Sequence, residues 1–266
     1  MKRGIPVKVN KLKMRETLIS YAFLAPILVF FVIFVLAPMI MGLVTSFFNY
    51  TMTDFTFVGL DNYIRMFNDE IFVKSLINTV IIVVGSVPVV VFFSLFVASS
   101  TYDKHVISRS FYRFVFFLPV VTGSVAVTVV WKWIYDPLSG ILNYVLKTGG
   151  IIEQNISWLG DKQWALLAII IILLTTSVGQ PIILYIAAMG NIDNSLVEAA
   201  RVDGATELQA FWKIKWPSLL PTTLYIAIIT TINSFQCFAL IQLLTSGGPN
   251  YSTSTLMYYL YEKAFK

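Results

Sequence analysis

Five long stretches of the sequence contain no Asp, Glu, Lys or Arg, and this spacing of charged residues limits the possible folds more than any other feature. A transmembrane helix needs roughly 20 mostly apolar residues to cross about 30 Å of hydrocarbon. The uncharged stretches lie between Glu16 and Asp54, Lys74 and Asp103, Arg113 and Lys132, Lys162 and Asp193, and Lys215 and Glu262. Because 57% of the 266 residues are hydrophobic and only 12% are charged, we expect an integral membrane protein.

These stretches predict an all-α polytopic bundle of transmembrane helices. A membrane β-barrel would instead show segments of about ten residues with alternating hydrophobicity. We place the five spans at about Leu18–Phe48, Leu76–Ser100, Phe111–Trp133, Trp164–Met189 and Leu219–Leu244. The first stretch is too long for a secretory signal and lacks a small-residue cleavage site, so we expect it to remain as an anchor helix.

The charged residues between the stretches predict the topology, because cytoplasmic loops carry an excess of Lys and Arg. Residues 1–17 are rich in both and are predicted to be a cytoplasmic amino-terminal segment, with a transmembrane domain over 18–266. The acidic segment 54–74 is expected outside and the basic loop 102–113 in the cytoplasm; alternation then places 136–162 outside and 191–217 in the cytoplasm. This distribution accounts for the net charge of +5, so we expect no nucleic-acid partner.

Residue patterns for catalysis are absent from the sequence. No Gly-x-x-x-x-Gly-Lys-Ser/Thr string occurs, so we do not expect the chain to hydrolyse ATP alone. The single histidine, His105, and the single cysteine, Cys237, lie far apart in sequence, and no metal site is predicted. No predicted span contains an ionisable group of the kind that a proton-coupled transporter needs. We therefore predict that the chain is not an enzyme.

The most informative segment is the charged loop Asn194–Thr222, which reads NSLVEAARVDGATELQAFWKIKWPSLLPT. Its first part predicts a short helix with a polar surface, which Gly204 stops or bends. A second amphipathic piece carries Lys213 and Lys215, and Pro217 and Pro221 set the angle of the following span. Such an element suits docking into a partner's groove, but the pattern is equally compatible with an amphipathic loop resting on lipid headgroups.

The string EAARVDGA, followed by Ile214, Pro217 and Pro221, resembles the cytoplasmic signature of the permeases of binding-protein-dependent ABC importers. Trp216 departs from the leucine that is usual there, and both residues are bulky and apolar. The resemblance implies a coupling loop over 190–218 that sits in a cleft of an ATP-binding subunit. The coupling residues that it implies are Glu198, Ala199, Ala200, Asp203, Gly204, Ile214 and Pro217.

Further strings are similar to the oligosaccharide and glycerol-phosphate branch of this family, on its maltose-type first permease subunit. They are LAPILVFF, VGLDNY, FLPVVTGSVAVTVVWKWIYDPLSGILN and the carboxyl-terminal run IQLLTSGGPNYSTSTLMYYLYEKAFK. The resemblance implies a type I importer fold in the bacterial plasma membrane. A sixth span is expected in that fold but is absent here, and we expect that the sequence is truncated.

The resemblance also implies the partners and the cargo. We expect a second related permease, two ATP-binding cassette subunits that use ATP and Mg, an extracellular sugar-binding protein received by the outer loops, a sugar substrate and membrane lipid. No cofactor is expected to be bound by this chain itself. The alternatives are a permease of the same family for another solute and, with less support, a channel or facilitator that works without ATP.

A polar face on the fifth predicted span is the candidate substrate path. Thr230, Asn233, Ser234 and Cys237 are spaced at i, i+3, i+4 and i+7, with Gln236 adjacent. Uncharged polar groups offer partners to sugar hydroxyls at a smaller desolvation cost than ions. The alternative is that these groups make hydrogen bonds that only hold the spans together. Gln180 of the fourth span is a weaker candidate.

Overall fold

The structure, a computed structural model, describes residues 11–51 and 54–266, so most of the predicted cytoplasmic segment 1–17 lies outside the described residues. The chain divides into two compact units, one ending at Asp69 and one beginning at Glu70. In the described part, three helices are long and apolar enough to cross a membrane, and two bent helix pairs raise the number to five if each pair counts as one span. The all-α polytopic fold class is confirmed.

The first unit is a long apolar helix followed by a small hairpin. Its elements are α1 (Lys11–Phe31), a π-helical turn (Val32–Leu36), α2 (Ala37–Thr45), β1 (Phe48–Tyr50), β2 (Phe55–Phe57) and α3 (Asp61–Asn68). The strands are antiparallel, with Phe48 opposite Phe57. Asn62 donates to the carbonyl oxygens of Ser46 and Phe48, both at 2.9 Å, which ties α3 to the end of α2. The predicted continuation of the first helix to Phe48 is wrong, because the backbone turns into the hairpin after Thr45.

The second unit is organised around α4 (Glu70–Tyr102), a single helix of 33 residues that packs against later helices of this unit. The later elements are α5 (Val106–Val121), α6 (Ser124–Ile134), α7 (Ile141–Thr148), α8 (Ala165–Ser177), α9 (Gly179–Gly190), α10 (Asn194–Val202), α11 (Glu207–Ala210), a π-helical segment (Phe211–Lys215), α12 (Trp216–Phe235), α13 (Ala239–Leu244) and α14 (Leu256–Phe265).

The predicted third span is not one helix, because α5 and α6 meet at an angle of 101°. Thr122 and Gly123 between them have extended backbones, with ψ values of 126° and 146°. The Thr122 hydroxyl donates to the Leu118 carbonyl oxygen at 2.8 Å, which satisfies one acceptor at the end of α5. The prediction of a single helix from Phe111 to Trp133 was wrong, because the spacing of charges does not detect an interruption between two uncharged helices.

The predicted fourth span is bent by 41° between α8 and α9. Pro181 lies just after this bend, and a proline has no N–H to offer to the carbonyl four residues earlier, which here belongs to Ser177. The neighbouring carbonyl oxygen of Val178 accepts from the Ile182 N–H at 3.1 Å and from the Ser94 hydroxyl of α4 at 3.3 Å. At the same bend α5 passes very close to Gly179, where a Cβ atom would lie 2.3 Å from the Phe116 carbonyl oxygen.

The predicted fifth span is shorter than expected. Helix α12 ends at Phe235 with Gln236 as its C-cap, and α13 begins only at Ala239. The prediction of one helix from Leu219 to Leu244 is therefore wrong. The spacing of charges missed the break because no charged residue lies near it.

The chain after α13 returns to the beginning of α4 and buries four consecutive polar residues, Ser252 to Thr255. Asn78 donates to the carbonyl oxygens of Tyr251 and Ser254 at 3.0 and 2.9 Å, and the hydroxyls of Ser75 and Ser254 are 2.8 Å apart. We call this segment, residues 250–256, the polar return loop. Buried hydroxyls and amides are tolerated in an apolar setting when they are hydrogen-bonded in this way.

Candidate functional site

The cytoplasmic loop predicted from the sequence begins with α10, a helix whose two ends are both capped. The Asp193 carboxylate accepts a hydrogen bond from the Ser195 N–H at 2.9 Å. Hydrogen bonds from the backbone and the side chain of Ser195 lower the pKa of Asp193. At the other end the Ala205 N–H donates to the Ala200 carbonyl oxygen at 2.9 Å and the Gly204 N–H to that of Arg201 at 3.0 Å. This pair of bonds is a Schellman motif, which requires a left-handed residue just after the helix.

Gly204 is that left-handed residue, with φ of 81°. A Cβ atom at this position would meet no heavy atom within 4 Å, so the surroundings leave room for a side chain. The glycine is therefore needed for its backbone conformation and not for close packing. The predicted role of Gly204 as the residue that ends the helix is confirmed.

A second short helix follows the glycine turn and is capped as well. The Thr206 hydroxyl accepts from the Gln209 N–H at 3.3 Å while the Gln209 side chain accepts from the Thr206 N–H at 2.9 Å, a reciprocal capping box. Helix α11 then continues through the π-helical segment into α12 without a break. Residues Glu207–Lys215 are thus a helical extension of α12, to which the glycine turn joins α10.

The structure brings together the predicted coupling residues Glu198, Ala199, Ala200, Asp203 and Gly204 on α10 and its turn. All of them except the half-buried Ala200 are exposed. The other two predicted residues lie farther along the chain, with Ile214 half-buried in the π-helical segment and Pro217 exposed in the first turn of α12.

Charged residues surround a cavity of about 220 Å³ between α10 and the end of α4, and of these residues the sequence assigned a role only to Glu198. Its lining includes Asp103, Glu198, Arg201 and Lys215. The Arg201 Nε atom lies 2.7 Å from the Glu207 Oε1 atom, so an ion pair joins α10 to α11 across the glycine turn. Hydrogen bonding and charge from this partner raise the pKa of Arg201 and lower that of Glu207. The six-residue spacing of the pair matches no helical period, which is why the sequence did not reveal it.

A polar groove of about 170 Å³ lies farther into the helices, between α9 and α12. Its polar lining residues are Thr176, Ser177, Gln180, Tyr225, Thr230 and Asn233. Two of the predicted path residues, Thr230 and Asn233, are therefore at this groove, together with the weaker candidate Gln180.

The other three predicted path residues do not line the groove. The Ser234 hydroxyl is buried and lies 2.9 Å from the Ser86 hydroxyl, which joins α12 to α4. Cys237 belongs to a buried apolar cluster, and Gln236 is exposed at the C-cap of α12. The prediction of one continuous helical face was wrong because α12 ends before Gln236.

No group of three His, Cys, Asp or Glu residues that could hold a metal ion occurs in the described part of the chain. Asp136 instead organises a turn, since its Oδ1 atom accepts from the N–H groups of Leu138 and Ser139 at 2.9 and 2.8 Å. These hydrogen bonds lower the pKa of Asp136.

Known proteins match most of the chain, and three of them show the likeness. The chain is 36% identical over 254 residues to the Probable ABC transporter permease protein YurN of Bacillus subtilis strain 168, covering 94% of this chain and 87% of that protein. It is 34% identical to the Lactose transport system permease protein LacF of Rhizobium radiobacter, covering 93% and 83% of the two chains. It also superposes with a TM-score of 0.78 and 25% identity on a chain of a bacterial alginate ABC transporter, solved with an alginate pentasaccharide-bound periplasmic protein, covering 94% of this chain and 84% of that one.

A family model matches the chain from α3 to α14. The matched region includes both α10 with its glycine turn and the polar groove. This family model is described as Binding-protein-dependent transport system inner membrane component and matches residues 67–264. Since this match covers well over half of the 266 residues, the chain belongs to the family of inner membrane components of binding-protein-dependent transport systems.

Proposed function

We propose that the chain is a permease subunit of an ATP-driven carbohydrate importer and forms half of its translocation path. The observation that carries this proposal is the capped helix α10, which presents exposed residues at the end of a helical extension of α12. Membership of the family supports it, and so do the names of two similar proteins, since one is a lactose transport permease and the other belongs to an alginate transporter.

The proposed coupling surface is α10 with its turn, Glu198 to Gly204, supported by Ile214 and Pro217. Two ATP-binding cassette subunits would receive it in the cytoplasm and would carry the ATP, the Mg and the hydrolysis. Because α11, the π-helical segment and α12 are continuous, movement of α10 would be passed into the membrane. In the proposed topology the amino terminus is in the cytoplasm, and the segment 136–162 is outside, towards an extracellular sugar-binding protein.

The proposed substrate path is the groove between α9 and α12, completed by a second, related permease. Asn233, Gln180 and Thr230 offer amide and hydroxyl groups, which can donate to and accept from sugar hydroxyls. The groove has no charged residue in its lining, which favours a neutral sugar over a phosphate-bearing solute.

The decisive experiment measures ATP-dependent sugar uptake into proteoliposomes that contain the chain with its partner subunits and binding protein. Native chain is compared with Gly204→Arg and with Gly204→Asn as the matched control, because asparagine tolerates a left-handed backbone better than arginine does. We expect Gly204→Arg to lower ATP-dependent uptake at least about tenfold, which corresponds to a rise of about 1.4 kcal/mol in the activation free energy of transport. Gly204→Asn should keep most of the native uptake.

Two results would contradict the proposal. Uptake by the native complex without ATP would favour a channel or facilitator. Equal uptake by native chain and Gly204→Arg, at equal amounts of assembled complex, would remove α10 and its turn from the coupling surface.

A further inference from the structure

We propose that Arg201 is a positioning residue for coupling: its ion pair with Glu207 fixes the angle between the coupling helix α10 and the extension of α12. The inference rests on the proposed function. It assigns a role to Arg201, which stands at a variable position within the signature Glu-Ala-Ala-x-x-x-Gly, and to Glu207, which lies after that signature.

The first argument is geometric. Between α10 and α11 the chain runs through Asp203, Gly204 and Ala205, and Gly204 has an open, left-handed backbone. A glycine restricts the backbone less than any other residue, so the turn needs a second restraint to hold the two helices at one angle. The contact between Arg201 Nε and Glu207 Oε1 at 2.7 Å spans this turn from helix to helix.

The second argument is electrostatic. Besides Glu207, the carboxylates of Asp103 and Glu198 attract Arg201, and Lys215 attracts Glu207. Asp103, Glu198 and Lys215 line the same cavity as Arg201, so the charges around the pair come from the end of α4, from α10 and from the base of α12.

The third argument concerns solvent. The side chains of Arg201 and Glu207 are 52% and 67% exposed, and an exposed pair contributes little to stability in water. A partner subunit covering α10 would remove that water, and the same pair becomes stronger in a lower dielectric. The pair would thus hold the angle between α10 and the extension of α12 most firmly when the ATP-binding subunit is bound, which is when force is transmitted.

The test is a double-mutant cycle on the assembled importer, with the number of sugars taken up per ATP hydrolysed as the readout. The variants are Arg201→Met, Glu207→Gln and the two together, with Arg201→Lys as the conservative variant. Arg109→Met is the matched control, because it removes an arginine near the start of α5 whose side chain donates to the Tyr102 carbonyl oxygen, at 3.4 Å, and lies outside the proposed coupling surface.

We expect each single variant of the pair to lower uptake per ATP by about five- to tenfold while ATPase activity and assembly persist. The double variant should be no worse than Arg201→Met, since coupled residues are not additive. Arg201→Lys should keep more than half of the native ratio, and Arg109→Met should leave the ratio within about twofold of native.

Three outcomes would overturn the proposal. An unchanged ratio in Arg201→Met would show that the pair does not position α10. Additive losses in the double variant would show that the two residues act separately. If the variants of the pair fail to assemble and Arg201→Lys does not restore assembly, the role is structural. A native complex that shows no ATP-dependent uptake would instead contradict the proposed function itself.

Discussion

Asn233 and Ser234 are neighbours on α12 with opposite surroundings. Asn233 is exposed at the polar groove, whereas Ser234 is buried and hydrogen-bonded to Ser86 of α4. Spacing along a helix assigns both to one polar face, and only the packing of α4 and α9 separates a residue that can meet a substrate from one that joins two helices. This is why the sequence predicted part of the groove, Thr230 and Asn233, and misassigned the rest.

Replacing Asn233 with leucine should lower sugar uptake by roughly tenfold at limiting sugar. The reason is that a substrate hydroxyl left without its partner costs about 1–3 kcal/mol. The matched control is Thr231→Val, because the Thr231 hydroxyl donates to the Ala227 carbonyl oxygen within the same helix, at 2.7 Å, and does not line the groove. The measurement is sugar uptake by the purified, reconstituted importer. Equal uptake by Asn233→Leu and Thr231→Val would contradict the proposed substrate path.

The proposed coupling residues were predicted from a resemblance in sequence, and local physics explains only some of them. The left-handed backbone of Gly204 accounts for the glycine, and the exposure of Glu198 and Asp203 is compatible with contact to a partner. The sequence did not reveal the ion pair between Arg201 and Glu207, because the two side chains meet across a turn whose geometry no helical period describes.

At the scale of elements, the long uncharged stretches predicted which segments are helical but not where the helices break. The bends after Val121 and Ser177 and the end of α12 at Phe235 all fall inside uncharged sequence. Of these only the second has a proline in the right place to be predicted. The first depends on the extended residues Thr122 and Gly123, and after the end of α12 the Cys237 carbonyl oxygen accepts from the Thr255 hydroxyl, 18 residues later, at 2.9 Å. Hydropathy carries no information about either arrangement.

The contact of α5 with α9 gives a prediction about stability. Gly179→Ala places a methyl group where the Phe116 carbonyl oxygen lies 2.3 Å away, so α5 must move or the bend must open. We expect a loss of about 1–3 kcal/mol, the usual cost of overpacking. Gly190→Ala is the matched control, because its nearest heavy atom, the Tyr102 hydroxyl oxygen, is 3.9 Å away.

Thermal unfolding of the two purified variants in detergent checks this prediction. Gly179→Ala should unfold at a lower temperature than native chain, and Gly190→Ala close to it. Equal unfolding temperatures for the two variants would mean that α5 does not approach α9 as closely as the structure indicates.

At the scale of the whole molecule, the proposed topology places 136–162 outside and the short loop after α4 in the cytoplasm. The chain offers a simple way to check it, since its single cysteine, Cys237, is 6% exposed and should react slowly. Cysteines introduced at exposed positions on either side would therefore report orientation against a low background.

Glu153→Cys should react with a membrane-impermeant maleimide in intact cells, whereas Lys104→Cys should react only after the membrane is permeabilised. Both positions are exposed in the structure, so a difference between them reports the side of the membrane and not burial. Labelling of Lys104→Cys alone in intact cells would reverse the proposed orientation.

The polar return loop has a consequence for the order in which the protein is built. The side chains of Ser75 and Asn78 near the start of α4 find hydrogen-bond partners 173 to 179 residues later in the chain. During synthesis α4 therefore enters the bilayer long before these partners exist. Because unpaired polar groups are costly in hydrocarbon, the start of α4 has to wait at the hydrated surface of the membrane. Arrival of residues 250–256 would then draw it to its final depth, as one of the last steps of assembly.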